Sequence, residues 1–273
     1  MSCNSLLITT SFSFLKLNVN DGSIHRLHQG DGLYYGITRS PDNIFVAARR
    51  RLVSSDMPQE EERGVILVFD NNLQQVDTIV SPFPLRDMHE IKWIDNQLWI
   101  VCSFDDMIAI LDGKTWHRWY PLGMSQTGIH DRYHFNSLMF ENKYVWILAH
   151  NRGPSNLLLY DVNTHQLLDT INLGEQSHNI WEYRGEILTC SSGTGQIVGS
   201  KGFNLTLGGF PRGVAYLNRN LYIGISALAE RKERDFTSGY ILVYDEHWQL
   251  KKRIDLPKEG LILDIMPFAG YKN

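Results

Sequence analysis

Residues 87–101, DMHEIKWIDNQLWIV, hold an apolar strand, a tight Asp-Asn-Gln turn and a second strand of Leu, Trp, Ile and Val. A histidine, His89, stands at the front of the hairpin. Four other stretches share the pattern: GITRSPDNIFVA from Gly36, NSLMFENKYVWIL from Asn136, NIWEYRGEILTC from Asn179 and GVAYLNRNLYIGI from Gly213. Each pairs β-branched and aromatic residues across a turn rich in Asp, Asn or Gly, the composition of a two-strand hairpin. Further strands follow, such as GVILVFD, MIAILDG, NLLLYDV and GYILVYD. The hairpins start 34 to 54 residues apart, so each unit has room for four strands, the content of one propeller blade.

The two ends complete the count. GLILDIMPFAG (260–270) looks like a first strand lacking its second, and NSLLITTSF (4–12) like a second strand lacking its first. Joined, they make a sixth blade and leave no exposed sheet edge. No segment shows a 3.6-residue apolar period. The expectation is one all-β domain over 1–273: a six-bladed β-propeller of four-stranded blades, closed by the C-terminal inner strand joining the N-terminal strands.

Composition narrows the function classes. With 273 residues, 43% hydrophobic, the chain can bury a large core, and a net charge of −4 lacks the basic excess that nucleic acid demands. No run of 18 apolar residues suggests a membrane span. The start, MSCNSLLITTSFSFLKL, has no basic n-region, and Cys3, Cys102 and Cys190 show no paired spacing. These features predict a cytoplasmic protein without disulfides, membrane or nucleic-acid partners. Cys102 and Cys190 read as small buried residues at the ends of second strands.

The turns joining first to second strands are all short. The loops joining second to third strands include RRRLVSSDMPQEEERG (49–64), HNRGPSN (150–156), SSGTGQ (191–196) and ALAERKERDFTSG (227–239). Long loops on a rigid scaffold are where function concentrates. In a four-stranded meander the inner strands begin on that same face, and the histidines begin inner strands. The competing reading makes the two charged loops solvated decoration.

Counting back ten from Phe45, Trp99, Trp146, Leu188 and Tyr222 reaches Tyr35, His89, Asn136, His178 and Arg212. The closing blade contributes Leu263 or its neighbour Asp264, an ambiguity of one residue. His134 lies two before Asn136 and so points the same way in a strand. This set is far more polar than core filling requires.

Four readings fit. His89, His134 and His178 hold a divalent metal with Asp264 or Glu90 as oxygen ligand; imidazole suits Zn or Fe, and Mn and Ca complete the range to test. Alternatively, His89 or His178 carries protons without a metal while Arg212 holds a carboxylate or phosphate. A third is a recognition pocket, with Tyr35, Asn136, Arg212 and Asp264 contacting substrate. In the last, each histidine only hydrogen-bonds a neighbouring blade. HDRYH (130–134) spaces two histidines four apart, which carries no metal meaning outside a helix.

In order, MHEIKWIDNQLWIVCSF, HFNSLMF, SHNIWEY with SSGTG, and FPRGVAYLNRNLYIGIS resemble the motifs of a bacterial β-propeller family catalogued as a domain of unknown function. That family shows H-D-L…L-W-F-V-N-T, H-x-N-G-L, P-H-S-P…N-S-G-T-G and P-R-G-L…L-F-V-G-L-S. The match runs from Met88 to Phe268, with Ser137 where the family has Gly and Asn179-Ile180 where it has Ser-Pro. The resemblance implies that His89, His134, Asn136, His178 and Arg212 act as a set, and it implies no particular activity. The chain is more weakly similar to the lactonase and gluconolactonase propellers related to the senescence-marker protein. That similarity aligns Glu90 and Asn136 with metal ligands but puts Arg212 where an Asp ligand stands, and a guanidinium cannot ligate a metal.

The functional expectation is therefore a propeller that binds a small anionic molecule at a His/Asn/Arg pocket. It would act as a hydrolase, lyase or isomerase using metal-assisted or histidine acid/base chemistry. The alternative is a protein- or peptide-binding scaffold, with Leu52, Met57, Leu228 and Phe236 as anchors on the charged loops.

Overall fold

A computed structural model describes residues 4–227 and 230–269. Cys3 and Leu228 lie outside the described residues. Among the described residues, twenty-four strands form six antiparallel four-stranded sheets, and the helical content is three one-turn 3-10 segments. The architecture is an all-β, six-bladed propeller. No helix among the described residues is long and apolar enough to cross a membrane.

The chain divides into two compact units, residues 1–85 with 212–273, and residues 86–211. In the first unit, one blade comprises β1 (Ser5–Thr10), β2 (Ser13–Asn18), β3 (Ile24–Gln29) and the last strand of the chain, β24 (Ile262–Phe268). The next has β4 (Tyr34–Arg39), β5 (Asn43–Ala48), β6 (Val65–Asp70) and β7 (Gln75–Ile79). The third has β20 (Phe210–Leu217), which begins at the unit boundary, then β21 (Asn220–Ser226), β22 (Gly239–Asp245) and β23 (Leu250–Leu256). β24 pairs antiparallel with β1, from Ser5 opposite Phe268 to Thr10 opposite Ile262. The two ends of the chain thus share one blade, as the repeat pattern predicts.

The unit of residues 86–211 holds β8 (Met88–Ile94), β9 (Gln97–Cys102), β10 (Met107–Asp112) and β11 (Thr115–Trp119) as one blade. β12 (Phe135–Glu141), β13 (Tyr144–Ala149), β14 (Pro154–Asp161) and β15 (Leu167–Glu175) make the second. β16 (Ser177–Tyr183), β17 (Glu186–Ser191), β18 (Gln196–Gly199) and β19 (Asn204–Thr206) make the third.

Turn chemistry sets the hairpin registers. Between β8 and β9, Asp95 and Asn96 take φ of 48° and 62°, and between β16 and β17, Arg184 and Gly185 take 52° and 78°. Two consecutive left-handed residues are what a two-residue hairpin turn needs to match strand twist. Apolar clusters lie between consecutive blades. Trp99, Val101 and Ile108 pack against Phe135, Val145 and Ile147 in one unit. Leu7 and Phe14 pack against Tyr34, Val46 and Phe69 in the other. Within each unit the facing positions of neighbouring blades are apolar, so those sheets seal each other as in a sandwich. Cys102 and Cys190 are fully buried within these faces.

Candidate functional site

A β-bulge marks the start of most inner strands. Register shifts fall between Tyr34 and Ile37, Met88 and Ile91, Phe135 and Ser137, His178 and Ile180, and Ile262 and Asp264. An extra residue there bends the strand and re-aims side chains, and bulges recur beside functional sites for that reason. Tyr35, His89, Asn136 and His178 sit at or next to these positions, Arg212 is the third residue of the inner strand β20, and all five are buried.

In the unit of residues 86–211 four imidazoles gather, His89–His134 and His150–His178 edge to face, His134–His150 tilted and His178–His89 near-parallel. Ring centroids are 4.7 Å apart for His89–His134, 4.7 Å for His134–His150, 5.0 Å for His150–His178 and 6.4 Å for His178–His89. His150 was not among the residues singled out from sequence. It follows the last residue of β13, at the opening of the HNRGPSN loop.

Each imidazole has a partner that fixes its tautomer. His89 Nε2 lies 3.0 Å from Asp87 Oδ1, and His134 Nδ1 lies 2.6 Å from Asp131 Oδ1. An ionised carboxylate only accepts, so each of those nitrogens carries the proton in the neutral ring. Ser192 Oγ donates to the Pro211 carbonyl at 2.6 Å, which makes it the acceptor for His178 Nδ1–H at 2.9 Å. His178 thus keeps Nε2 as its lone-pair nitrogen. His150 is the reverse: its Nδ1 accepts the Arg152 N–H at 3.0 Å, so its proton sits on Nε2.

The loop before β12 builds half of this arrangement. Asp106 accepts the Arg132 and Tyr133 amides at 3.1 and 3.0 Å and the Arg132 Nε at 3.0 Å. Asp131 and His134 both adopt left-handed backbone, φ 55° and 50°, which folds the carboxylate back onto the imidazole three residues on. Arg152 pairs with the other oxygen of Asp131. Asp87 is left-handed as well, φ 51°. Strained backbone of this kind persists where the surroundings over-determine it, and it gathers at functional sites. The HDRYH stretch therefore acts through Asp131 and His134; His130 instead stacks on Phe104, 4.5 Å between centroids. Nearby, burial pushes the Asp105 carboxyl above its usual range, opposed by its ion pair with Arg86.

Asp87, His89 and His134 each offer one ligand atom, and these atoms lie within 4.8 Å of one another. An ion held there would replace the proton that His89 Nε2 shares with Asp87 Oδ1; their 3.0 Å separation suits neighbouring ligands on one small ion with bonds of about 2.0–2.2 Å. His134, with Nδ1–H on Asp131, presents Nε2, as metal-binding histidines held by a carboxylate do. His178 is outside this group, 6.4 Å from His89 between ring centroids.

The expected oxygen ligands are engaged elsewhere. Glu90 Oε2 accepts the Leu138 amide of the next blade at 2.8 Å, and Lys92 pairs with its Oε1. In the other unit, Asp264 Oδ2 accepts the Ile37 amide at 3.0 Å and Oδ1 its neighbour's amide, Ile265, at 2.9 Å. Ser137 accepts the Asn179 amide at 2.9 Å in the same manner. Glu90, Ser137 and Asp264 are equivalent tethers from one inner strand to the next. The one-residue ambiguity resolves accordingly: Leu263 is the counterpart of His89, and Asp264 the counterpart of Glu90. Asn136 donates Nδ2 to the Ser177 carbonyl at 2.8 Å, while its buried Oδ1 has no hydrogen-bond partner among the described residues.

The unit of residues 1–85 and 212–273 holds Tyr35 with Arg49 and Arg212, whose guanidinium carbons lie 5.4 and 4.8 Å from its ring centroid. The charged loops of this unit are not solvated fringes. Arg49 and Glu62, both from 49–64, form a buried bidentate pair at 2.8 and 2.6 Å. Asp235, fully buried, accepts the Val53 and Ser54 amides at 2.9 Å each and so fastens the two loops together.

No protein-family model matches the sequence, and no curated protein matches it. Among solved structures, the chain is similar to one in the crystal structure of a nidogen/laminin complex: 12% identity, TM-score 0.69, covering 98% of this chain and 99% of that one. It is similar in the same degree to a protein of unknown function from Bacteroides caccae, at 13% identity, TM-score 0.69, and 98% and 99% coverage. At such identities the likeness establishes the propeller fold and leaves the activity to the site.

Proposed function

We propose that this propeller binds a small anionic molecule and carries out a hydrolase-, lyase- or isomerase-type reaction at the histidine cluster, with a divalent metal held by Asp87, His89 and His134. The observation that carries the reading is the convergence of those three ligand atoms within 4.8 Å, inside a ring of four imidazoles. A divalent ion there supplies Lewis-acid polarisation of a carbonyl or phosphoryl oxygen. Asp131, pinned by Arg152, orients His134. His178, its Nδ1–H fixed on Ser192, presents a lone pair that accepts a substrate proton. His150 presents an N–H, and Asn136 Oδ1 accepts a hydrogen bond from substrate. Zn, Fe and Mn suit this mixed imidazole–carboxylate set better than Ca, which prefers oxygen ligands throughout.

The test is elemental analysis of the untagged protein beside its His89→Ala/His134→Ala variant, each reloaded with Zn, Fe, Mn and Ca. Near-stoichiometric metal in the wild type that is lost from a still-folded variant is the expected result. Equal metal in both, or none in either, removes the metal reading.

The rival reading is a non-catalytic protein-binding propeller. In its favour stand the fold shared with a chain of the nidogen/laminin complex and the exposure of Phe236, which packs edge-on against Phe12 at 5.3 Å. A single exposed aromatic on the charged loops is less than the cluster of anchors an interface core requires, so the histidine cluster favours the first reading.

A further inference from the structure

Two guanidinium groups face the Tyr35 ring, and among the described residues only one of them has a counter-charge. Arg49 is held by both oxygens of Glu62, and the pair is sealed, with side-chain exposures of 6% and 0%. Arg212 is nearly as deep, at 7% exposure. Among the described residues no carboxylate lies within ion-pair distance of Arg212, and its guanidinium meets the Tyr35 ring face. A buried cation without a partner is strongly disfavoured unless something else compensates it. Asp264 is close in the fold, since a Cβ on Gly213 would lie 3.2 Å from the Asp264 backbone. Its carboxylate nonetheless serves the Ile37 and Ile265 amides.

We propose that Arg212 and Tyr35 form an oxyanion site that takes a carboxylate or phosphate group of a small molecule. The ring at 4.8 Å holds one face of the guanidinium, so its N–H edge is left to grip two oxygens in the bidentate manner that arginine favours. Arg49 contributes no net charge because Glu62 cancels it. Its role is to hold Tyr35 in place, Nη1 donating to the Tyr35 hydroxyl at 3.5 Å. The proposal deepens the small-anion half of the function above and is independent of whether a metal binds.

The full-length protein, freed of metal by prior dialysis, is titrated with sodium phosphate and separately with sodium succinate, against sodium chloride of equal ionic strength. Calorimetric affinity and thermal midpoint are read for wild type, Arg212→Ala, Arg212→Met, Arg212→Lys and Lys114→Ala. Saturable binding of either oxyanion is expected. Affinity should weaken by about tenfold or more in Arg212→Ala and Arg212→Met, the loss of a charge-assisted pair. Arg212→Lys should recover part of it, and Lys114→Ala, an exposed cation removed from a strand turn, should bind as wild type does. Succinate binding alone assigns a carboxylate ligand, phosphate binding alone a phosphoryl ligand. Oxyanions that bind no better than chloride, or bind Arg212→Met as tightly as wild type, overturn the proposal. Either failure would leave the metal reading standing, because metal content is measured separately.

Discussion

The two units place polar side chains at the same strand position and treat them in opposite ways. In residues 86–211 the bulge side chains His89 and His178 meet partners that fix a proton on one nitrogen and leave a lone pair on the other. In the second unit Arg212, near the start of β20, has no counter-charge among the described residues, while Arg49, over the same tyrosine ring, is neutralised by Glu62. Blade geometry therefore supplies positions, and the partners decide the chemistry. One unit offers nitrogen and oxygen donors suited to a cation. The other offers a cation suited to an anion.

The largest effect that would sharpen this contrast lies at Glu62. Glu62→Ala leaves Arg49 buried and unpaired, and denaturant unfolding should show a loss of about 3–5 kcal/mol. An unchanged midpoint would mean that Arg49 finds other solvation and that the two arginines are not distinct. Next in size is Asp131→Asn, which removes the group orienting His134. Metal affinity should fall by about 10–100-fold, read by competition with a chromogenic chelator, with the midpoint nearly unchanged in metal-free protein. Asp264→Ala should cost about 1–3 kcal/mol, because the buried Ile37 amide loses its acceptor, and should leave metal content untouched. A loss of metal in that variant would restore Asp264 to the ligand set. Smallest of all is Arg212→Met, expected to leave ligand-free stability equal to wild type or slightly above it, since no native ion pair is lost.

Much of the fold was legible in the sequence because hairpin grammar is local. Asp95-Asn96 and Arg184-Gly185 close two-residue turns, and strict alternation on either side declares which residues face the neighbouring blade. His89, Asn136, His178 and Arg212 were found through register alone, by counting back from the second strand. Asp87, Asp131 and His150 were not found, for a physical reason. They lie just outside the strands, where period-2 alternation stops giving a direction, and two of them use left-handed backbone that no periodicity reveals. Asp131 lay within a five-residue stretch whose helical spacing had no meaning; its partner in the fold is His134, three residues on across a loop. Ser192 lay in a glycine-rich turn and gave no sign that its hydroxyl would fix a histidine. The Leu263/Asp264 ambiguity has the same origin, because a bulge inserts a residue and shifts the facing by one.

The measurement that tests the central claim most directly is a cobalt(II) titration of the metal-free protein, followed by visible absorption and run beside His134→Ala. Saturation at about one equivalent per chain, with d–d bands of a low-coordinate nitrogen/oxygen site that zinc displaces, is the predicted result, together with loss of the signal in the variant. Absorption that grows without saturation, or is identical in His134→Ala, would contradict it.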